Sequence, residues 1–128
     1  MTNSYIDLLI RIKNSCMVKK PEVIVPFSKM NMQILKKLKE LGFIEGFELD
    51  KKNNKKINVK LLYEKNRSII TNVKIFSKPG KRTYIKKSDL NSIKRVISTF
   101  LISTSRGIMT VKEAKNKNIG GELLFEIW

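Results

Sequence analysis

The chain has 128 residues, of which 27 are lysine or arginine, 11 are aspartate or glutamate, one is cysteine and none is histidine. A hydrophobic fraction of 41% allows a packed interior, so one compact domain or two small lobes are expected rather than a disordered tail. With one cysteine and no histidine, the composition excludes an internal disulfide, a cysteine-cluster zinc site and a nucleophile activated by histidine. Neither a cofactor nor a small-molecule substrate is therefore expected.

The charge predicts a polyanionic partner. The net charge is +16 and the pI is about 10.1, and residues 65–117 carry 14 basic side chains against two acidic ones. Nucleic acid is the leading interpretation, and an ordinary lysine-rich soluble surface is the alternative. The longest uncharged stretch, residues 96–105, has ten residues, half of what a membrane span requires, so no membrane partner is expected.

The first half of the chain alternates helical and extended patterns. Apolar residues at helical spacing predict one helix over residues 5–16 and a second one between the cap residue Ser28 and Gly42. Three strands are predicted, at residues 23–25, 43–49 and 57–63. The lysine-rich loop between the last two strands suits either a solvated surface or contacts with phosphate groups.

The second half is predicted to contain short strands and short helices. The strands are expected at residues 69–76, 83–85, 100–103 and 122–128. Residues 88–95 suit a short helix or an irregular link, and Thr110 with Glu113 forms a capping box for a helix that ends near residue 117. The pattern predicts an α+β fold with two small lobes, an N-terminal helix-strand-helix-strand-strand lobe (1–64) and a mostly-β C-terminal lobe (65–128).

Three consecutive hydroxyl residues, a basic residue and a glycine form the first candidate binding motif: Ser103, Thr104, Ser105, Arg106 and Gly107. Hydroxyl groups can bond to ribose 2′-hydroxyls, base edges and phosphates. The guanidinium offers a fork for a phosphate or a base edge, and glycine permits a positive φ or a close approach of the backbone to a ligand. The alternative interpretation of these five residues is an ordinary polar turn.

A stiff proline-glycine turn carries the second candidate motif. It combines three cations with one aromatic ring for stacking: Lys78, Lys81, Arg82 and Tyr84. The alternative is a basic hairpin with a packed tyrosine. The first helix adds a weaker pair on one face, Arg11 and Asn14, a pattern that usually indicates plain surface.

These segments, in chain order, resemble the signatures of small-subunit ribosomal protein eight. Residues 103–128, STSRGIMTVKEAKNKNIGGELLFEIW, are similar to the family pattern S-T-S-x-G-[IV]-M-T-x-x-x-A, followed by G-G-E and an apolar strand. The segments KPGKRTY (78–84), IDLLIRIKNS (6–15) and VPFSKMNMQILKKLKELGFI (25–44) resemble three further family motifs. The chain departs from the pattern at RVISTF (95–100), where the family usually has N-G-L-G-[IL], and at Arg106, where it usually has lysine.

The resemblance implies a two-lobed α+β protein whose N-terminal lobe is of the double-stranded-RNA-binding type. It implies a structural constituent of the small ribosomal subunit, located beside neighbouring ribosomal proteins. In this family the protein binds a helix of the central domain of small-subunit rRNA through the minor groove, and it supports platform assembly and translation. Matched position by position, Ser103, Thr104, Ser105 and Gly107 form the loop that enters the groove. The other matched RNA-binding positions are Lys78, Arg82, Tyr84, Arg11, Asn14, Lys29 and Glu122.

Two other functional classes were weighed. A general nucleoid-type protein that binds DNA and RNA is the alternative, and it would not discriminate between the two. An enzyme is not expected, because Cys16 lies on an apolar helix side without a histidine, where core packing is the simpler role.

The amino-acid composition indicates the type of genome that encodes the chain, because some amino acids have codons rich in A and T. The chain has 22 lysines, 17 isoleucines and 11 asparagines, but five arginines and one alanine, which indicates an A/T-rich genome. A mitochondrial ribosome is the first expectation for the location, a plastid the second and the cytoplasm of an A/T-rich bacterium the third.

Overall fold

The computed structural model describes residues 4–53, 55–92 and 99–128. It confirms the predicted α+β class, with three α-helices and antiparallel sheets in this part of the chain. Contacts divide the chain into two compact units, the first ending at Asn72 and the second beginning at Val73. The division falls after residue 72 rather than after residue 64, because Ile70 is buried and residues 67–68 pair with residues 63–64.

The first unit follows the predicted order of helices and strands. Its elements are α1 (Ser4–Met17), β1 (Glu22–Pro26), α2 (Lys29–Glu40), β2 (Ile44–Leu49), β3 (Lys56–Leu61), β4 (Tyr63–Glu64) and β5 (Arg67–Ser68). The strands β1, β3 and β2 form an antiparallel sheet in that order, and β4 pairs with β5. In the described ranges, no helix is both long enough and apolar enough to cross a membrane.

Local sequence signals explain the limits of α2. The Ser28 hydroxyl oxygen accepts a hydrogen bond from the Asn31 backbone N–H (3.0 Å), as expected of a helix N-cap. Gly42 follows the last turn with a φ of +83°, a conformation that glycine adopts without steric cost. Both limits were predicted.

The core of the first unit lies between the two helices and one face of the sheet. In β3, buried and more exposed residues alternate, and the inward side chains are Ile57, Val59 and Leu61. Apolar stripes of the helices cover this face with Leu8, Leu9, Ile12, Ile34, Leu35 and Leu38, all fully buried. Burial of apolar residues at helical spacing stabilises both helices, since most helical stability in proteins comes from packing an amphipathic face.

The second unit is mostly β-structure. Its elements are β6 (Val73–Ile75), β7 (Tyr84–Ile85), a 3₁₀ helix (Lys87–Ser92), β8 (Thr99–Thr104), β9 (Gly107–Thr110), α3 (Val111–Lys117) and β10 (Gly121–Ile127). Of the two alternatives for residues 88–95, a short helix or an irregular link, the 3₁₀ helix agrees with the first up to residue 92. Residues 93–95, and residues 95–98 of the segment that departs from the family pattern, lie outside the described residues.

The strand β10 organises this unit. It pairs with β8 on one side and with β6 and β7 on the other, and β9 adds to the outer side of β8. A core cluster packs against this sheet and α3; its buried members are Leu90, Ile102, Met109, Val111, Ala114 and Leu123.

Three sequence predictions differ from this unit. The strand β9 was not predicted, because Gly107 was interpreted as part of a turn and Thr110 as a helix cap. The predicted strand over residues 69–76 is limited to Val73–Ile75 in β6, with Arg67–Ser68 before it in the other unit. The last strand, predicted as a regular strand over residues 122–128, is interrupted at Leu124, which is buried at a register shift between Leu123 and Phe125. A bulge of this kind inserts one residue and so reverses which face the following side chains occupy.

Candidate nucleic-acid interface

The turn between β6 and β7 presents two lysines side by side. The backbones of Lys78 and Lys81 exchange two hydrogen bonds, N–H to C=O in each direction, both with N···O distances of 3.0 Å. Pro79 and Gly80 occupy the centre of the turn, and Gly80 has a φ of +80°, which is the geometry of a type II turn. Both lysine side chains are exposed, and facing like charges of this kind disfavour folding unless an anion is bound.

A buried serine anchors this turn to β10. The Ser77 hydroxyl donates to the Leu123 carbonyl oxygen (2.7 Å) and accepts from the Thr83 backbone N–H (2.9 Å). The Leu123 N–H in turn donates to the Thr83 carbonyl oxygen (2.8 Å). Ser77 therefore fixes the position, relative to β10, of the segment that carries Lys81, Arg82 and Tyr84. Sequence reasoning missed this residue, and its only signal was a small polar side chain directly before the lysine-proline-glycine turn.

Two glycines let β10 begin between β7 and β8. A Cβ atom added at Gly121 would collide with the Ser103 carbonyl oxygen, and one at Gly120 would collide with the Ile85 carbonyl oxygen. The strand can pass between its neighbours at this distance only without side chains. This close approach sets the position of the next residue, Glu122.

Glu122 lies at the centre of a row that crosses three strands. It is the register partner of Ser103 on β8 and of Tyr84 on β7. Directly opposed residues of antiparallel strands point to the same face, so these three side chains share one face. Their sequence neighbours Ile85, Ile102 and Leu123 point into the core cluster, which places the row on the opposite face.

The row combines an ion pair with an exposed ring. Arg82 Nη1 lies 3.1 Å from Glu122 Oε2, and the carboxylate side chain is 17% exposed. Tyr84 is 68% exposed, so it is not a packed core tyrosine and its ring can stack on a base. Arg82 is half exposed and keeps further guanidinium donors for an anion.

The hydroxyl motif forms the tip of the β8–β9 hairpin. Thr104 pairs with Gly107, which has a φ of +108°, and Ser105 and Arg106 are exposed in the two-residue loop. The Thr104 hydroxyl donates to the Gly107 carbonyl oxygen (2.8 Å) and accepts from the Arg106 N–H (3.1 Å). Thr104 thus shapes the turn, while Ser103 and Ser105 keep hydroxyls that can face a ligand.

The predicted site residues are divided between the two units. Ten of them lie in the second unit, around the start of β10 and the two turns: Ser103, Thr104, Ser105, Arg106, Gly107, Lys78, Lys81, Arg82, Tyr84 and Glu122. The remaining three, Arg11, Asn14 and Lys29, lie in the first unit. Arg11 is engaged within that unit, because it pairs with Asp7 (3.1 Å) and donates to the Ile24 carbonyl oxygen (3.2 Å). Asn14 and Lys29 are exposed.

The cysteine of the first unit is suited to packing. Cys16 is buried, and burial raises the pKa of its thiol above the usual value of 9.0, against a smaller opposite effect of the Ser68 hydroxyl. Burial likewise raises the pKa of Tyr63, whose hydroxyl donates to the Lys20 carbonyl oxygen, and the charge of Cys16 adds to that increase. A thiol held neutral is a poor nucleophile, which agrees with the core role expected for Cys16.

A family sequence model and individual related proteins indicate the same family for this chain. A sequence model described as ribosomal protein S8 matches residues 4–128. The small ribosomal subunit protein uS8 of Crocosphaera subtropica is 45% identical over 125 residues, which cover 95% of this chain and 94% of that protein. The uS8 protein of Mycoplasma mobile is 40% identical over 129 residues, covering 100% of this chain and 97% of that protein. The uS8 protein of Rippkaea orientalis is 46% identical over 125 residues.

These relatives are bacterial, so the mitochondrial location stays a prediction that they do not support. The match extends over nearly the whole chain and includes all the motifs that carried the resemblance. The chain therefore belongs to the ribosomal protein S8 family.

Proposed function

We propose that this chain is a structural constituent of the small ribosomal subunit and binds a helix of the central domain of small-subunit rRNA. The minor groove of that helix receives the tip of the β8–β9 hairpin, and the bound protein supports platform assembly beside neighbouring ribosomal proteins. Family membership and the names of the bacterial relatives support the ribosomal part of the proposal.

One observation carries the RNA part. The row of Tyr84, Glu122 and Ser103 lies on one sheet face next to the exposed loop residues Ser105 and Arg106. An A-form helix offers side chains a wide, shallow minor groove lined with 2′-hydroxyl groups, which are both donors and acceptors. Serine hydroxyls and a carboxylate are suited to bond such groups, and a DNA duplex lacks them.

The basic side chains of the second unit contribute affinity for RNA but not specificity for one site. Residues 73–128 contain 12 basic and four acidic side chains, a net charge of +8. Each phosphate contact releases counterions and makes binding dependent on salt, whereas contacts in the groove select the helix. The two contributions can be separated by varying the salt concentration and the sequence of the ligand independently.

The test is a titration of the protein against three ligands at about 150 mM salt. They are the central-domain rRNA helix, the same helix with its internal-loop bases changed, and a DNA duplex of equal length. We expect the native helix to bind about a hundredfold more tightly than the other two. Equal affinities for all three would overturn the proposal and support the nucleoid-type alternative, in which charge alone acts.

A further inference from the structure

A second basic surface with an aromatic ring lies in the first unit. We call it the Phe27 patch, and it consists of Phe27, Lys51, Lys52, Lys55 and Lys56. Phe27 connects β1 to the cap of α2 and is 41% exposed. Its backbone N–H donates to the Lys55 carbonyl oxygen (2.8 Å), and Lys56 is the register partner of Pro26. The backbone of residue 27 is thus held at the base of the β2–β3 loop, and its ring is partly open to solvent.

The polar side chains of that loop hold the backbone and do not neutralise the lysines. Asp50 Oδ1 accepts from the Lys52 N–H and Asn53 Oδ1 accepts from the Lys55 N–H, both at 3.0 Å. The Asp50 N–H donates to the Lys56 carbonyl oxygen (3.0 Å), which closes the loop. None of the ion pairs found among the described residues includes a lysine of the Phe27 patch.

This combination suits one type of ligand. Exposed lysines attract phosphates, and an exposed ring beside them can stack on a base. In a duplex the base faces are already stacked on each other, so a ring gains from stacking only where a base is unpaired. The patch therefore fits a single-stranded segment, with its backbone along the lysines.

We infer that the Phe27 patch binds single-stranded RNA, with one unpaired base stacked on the Phe27 ring and the adjacent phosphates at the loop lysines. This surface belongs to the first unit, whereas the hairpin proposed to enter the rRNA groove belongs to the second. The inference goes beyond the proposed function, and each can fail without the other.

The test uses the full chain and an unstructured, fluorescently labelled oligouridylate of about twelve nucleotides, with binding followed by anisotropy. Phe27→Leu keeps an apolar side chain but removes the ring, and we expect it to weaken oligonucleotide binding about fivefold or more. Phe27→Tyr keeps the ring and should bind like the unchanged protein. Both variants should bind the central-domain rRNA helix like the unchanged protein, since that helix is assigned to the second unit.

The lysines are tested by salt dependence. Replacing Lys55 and Lys56 with glutamine should lower the slope of log affinity against log salt for the oligonucleotide by about 1.4, or 0.7 for each phosphate contact. Lys36→Gln with Lys39→Gln removes the same charge from the exposed side of α2 and is the matched control, expected to leave the slope unchanged.

Two results would overturn the inference. One is oligonucleotide binding by Phe27→Leu that equals binding by Phe27→Tyr. The other is an equal loss of slope in the two double-lysine variants, which would mean that net charge acts without a defined surface. Failure of the rRNA-helix titration would instead count against the proposed function and leave these two readouts intact.

Discussion

At the residue scale, Gly107 has a backbone conformation that other residues rarely adopt. Its φ is +108°, and a Cβ atom added there would meet nothing within 4 Å. The penalty for a side chain is therefore backbone strain and not steric collision. The shape of the β8–β9 turn depends on this conformation together with the hydrogen bond from the Thr104 hydroxyl to the Gly107 carbonyl oxygen.

Gly107→Val should therefore weaken specific binding to the rRNA helix about tenfold, since a strained turn costs about 1–2 kcal/mol. Binding to random RNA should hardly change, because the cations remain in place. Gly46→Val is the matched control, as Gly46 has open space and no positive φ. Equal losses on specific and random RNA, measured by filter binding, would contradict a groove-reading role for the loop.

The neighbouring Arg106 tests the electrostatic part of the same loop. Arg106→Ala should lower the slope of log affinity against log salt by about 0.9, the contribution of one phosphate contact. Arg67→Ala removes another exposed arginine, from the first unit, and should leave the slope for the rRNA helix unchanged. If the two variants have the same slope, Arg106 makes no specific phosphate contact.

The buried hydroxyl of Ser77 both stabilises the fold and positions the Lys78–Lys81 turn. Ser77→Ala leaves the Thr83 N–H and the Leu123 carbonyl oxygen without this partner, which should lower the free energy of unfolding by about 1–3 kcal/mol. Urea denaturation measures this loss. Binding of the rRNA helix by the folded variant should also weaken, because fewer hydrogen bonds then hold the Lys78–Lys81 turn to β10. Ser77→Thr restores a hydroxyl and should recover part of both, whereas a variant with unchanged stability would show that the bonds are dispensable.

At the scale of elements, α3 begins with two reciprocal hydrogen bonds. Thr110 Oγ1 accepts from the Glu113 N–H (3.1 Å), and Glu113 Oε1 accepts from the Thr110 N–H (3.2 Å). A helix of seven residues has little stability of its own, so this cap and the burial of Val111 and Ala114 hold it in place.

Thr110→Ala should therefore lower the free energy of unfolding by about 1 kcal/mol, the usual loss on removing an N-cap side chain. Thr110→Ser keeps the accepting oxygen and is expected to lose clearly less. The measurement is the urea midpoint of both variants relative to the unchanged protein. Equal midpoints for the alanine and serine variants would show that the cap hydrogen bond contributes nothing to the stability of α3.

The same elements show which parts of the structure could be predicted. Gly42, Gly80 and the Thr110–Glu113 cap were predicted correctly, because each depends on backbone conformation within a few consecutive residues. The bond from Ser77 to Leu123 was not, since it joins residues 46 positions apart and exists only once β10 lies beside the turn. The bulge at Leu124 has the same origin, because register depends on both strands and not on either sequence alone.

At the scale of the whole molecule, stability depends on pH through the buried thiol of Cys16. Burial raises the pKa of its thiol in the folded state above 9.0, so folding favours the protonated form. That contribution is complete below about pH 9 and is lost as the pH rises through the folded-state pKa.

Cys16→Ala isolates the contribution of the thiol, because it removes that group and leaves the rest of the sequence unchanged. The variant should be less stable than the unchanged protein near neutral pH, where it lacks only packing by the buried sulfur. Between about pH 8 and pH 11 the difference in free energy of unfolding should shrink, since only the unchanged protein loses the contribution of a protonated thiol. Urea unfolding at several pH values measures this difference, and a constant difference would contradict it. Tyr63, whose pKa is also raised, mainly by burial, should add a further loss at still higher pH in both proteins. This loss should be smaller in Cys16→Ala, which lacks the charge of Cys16.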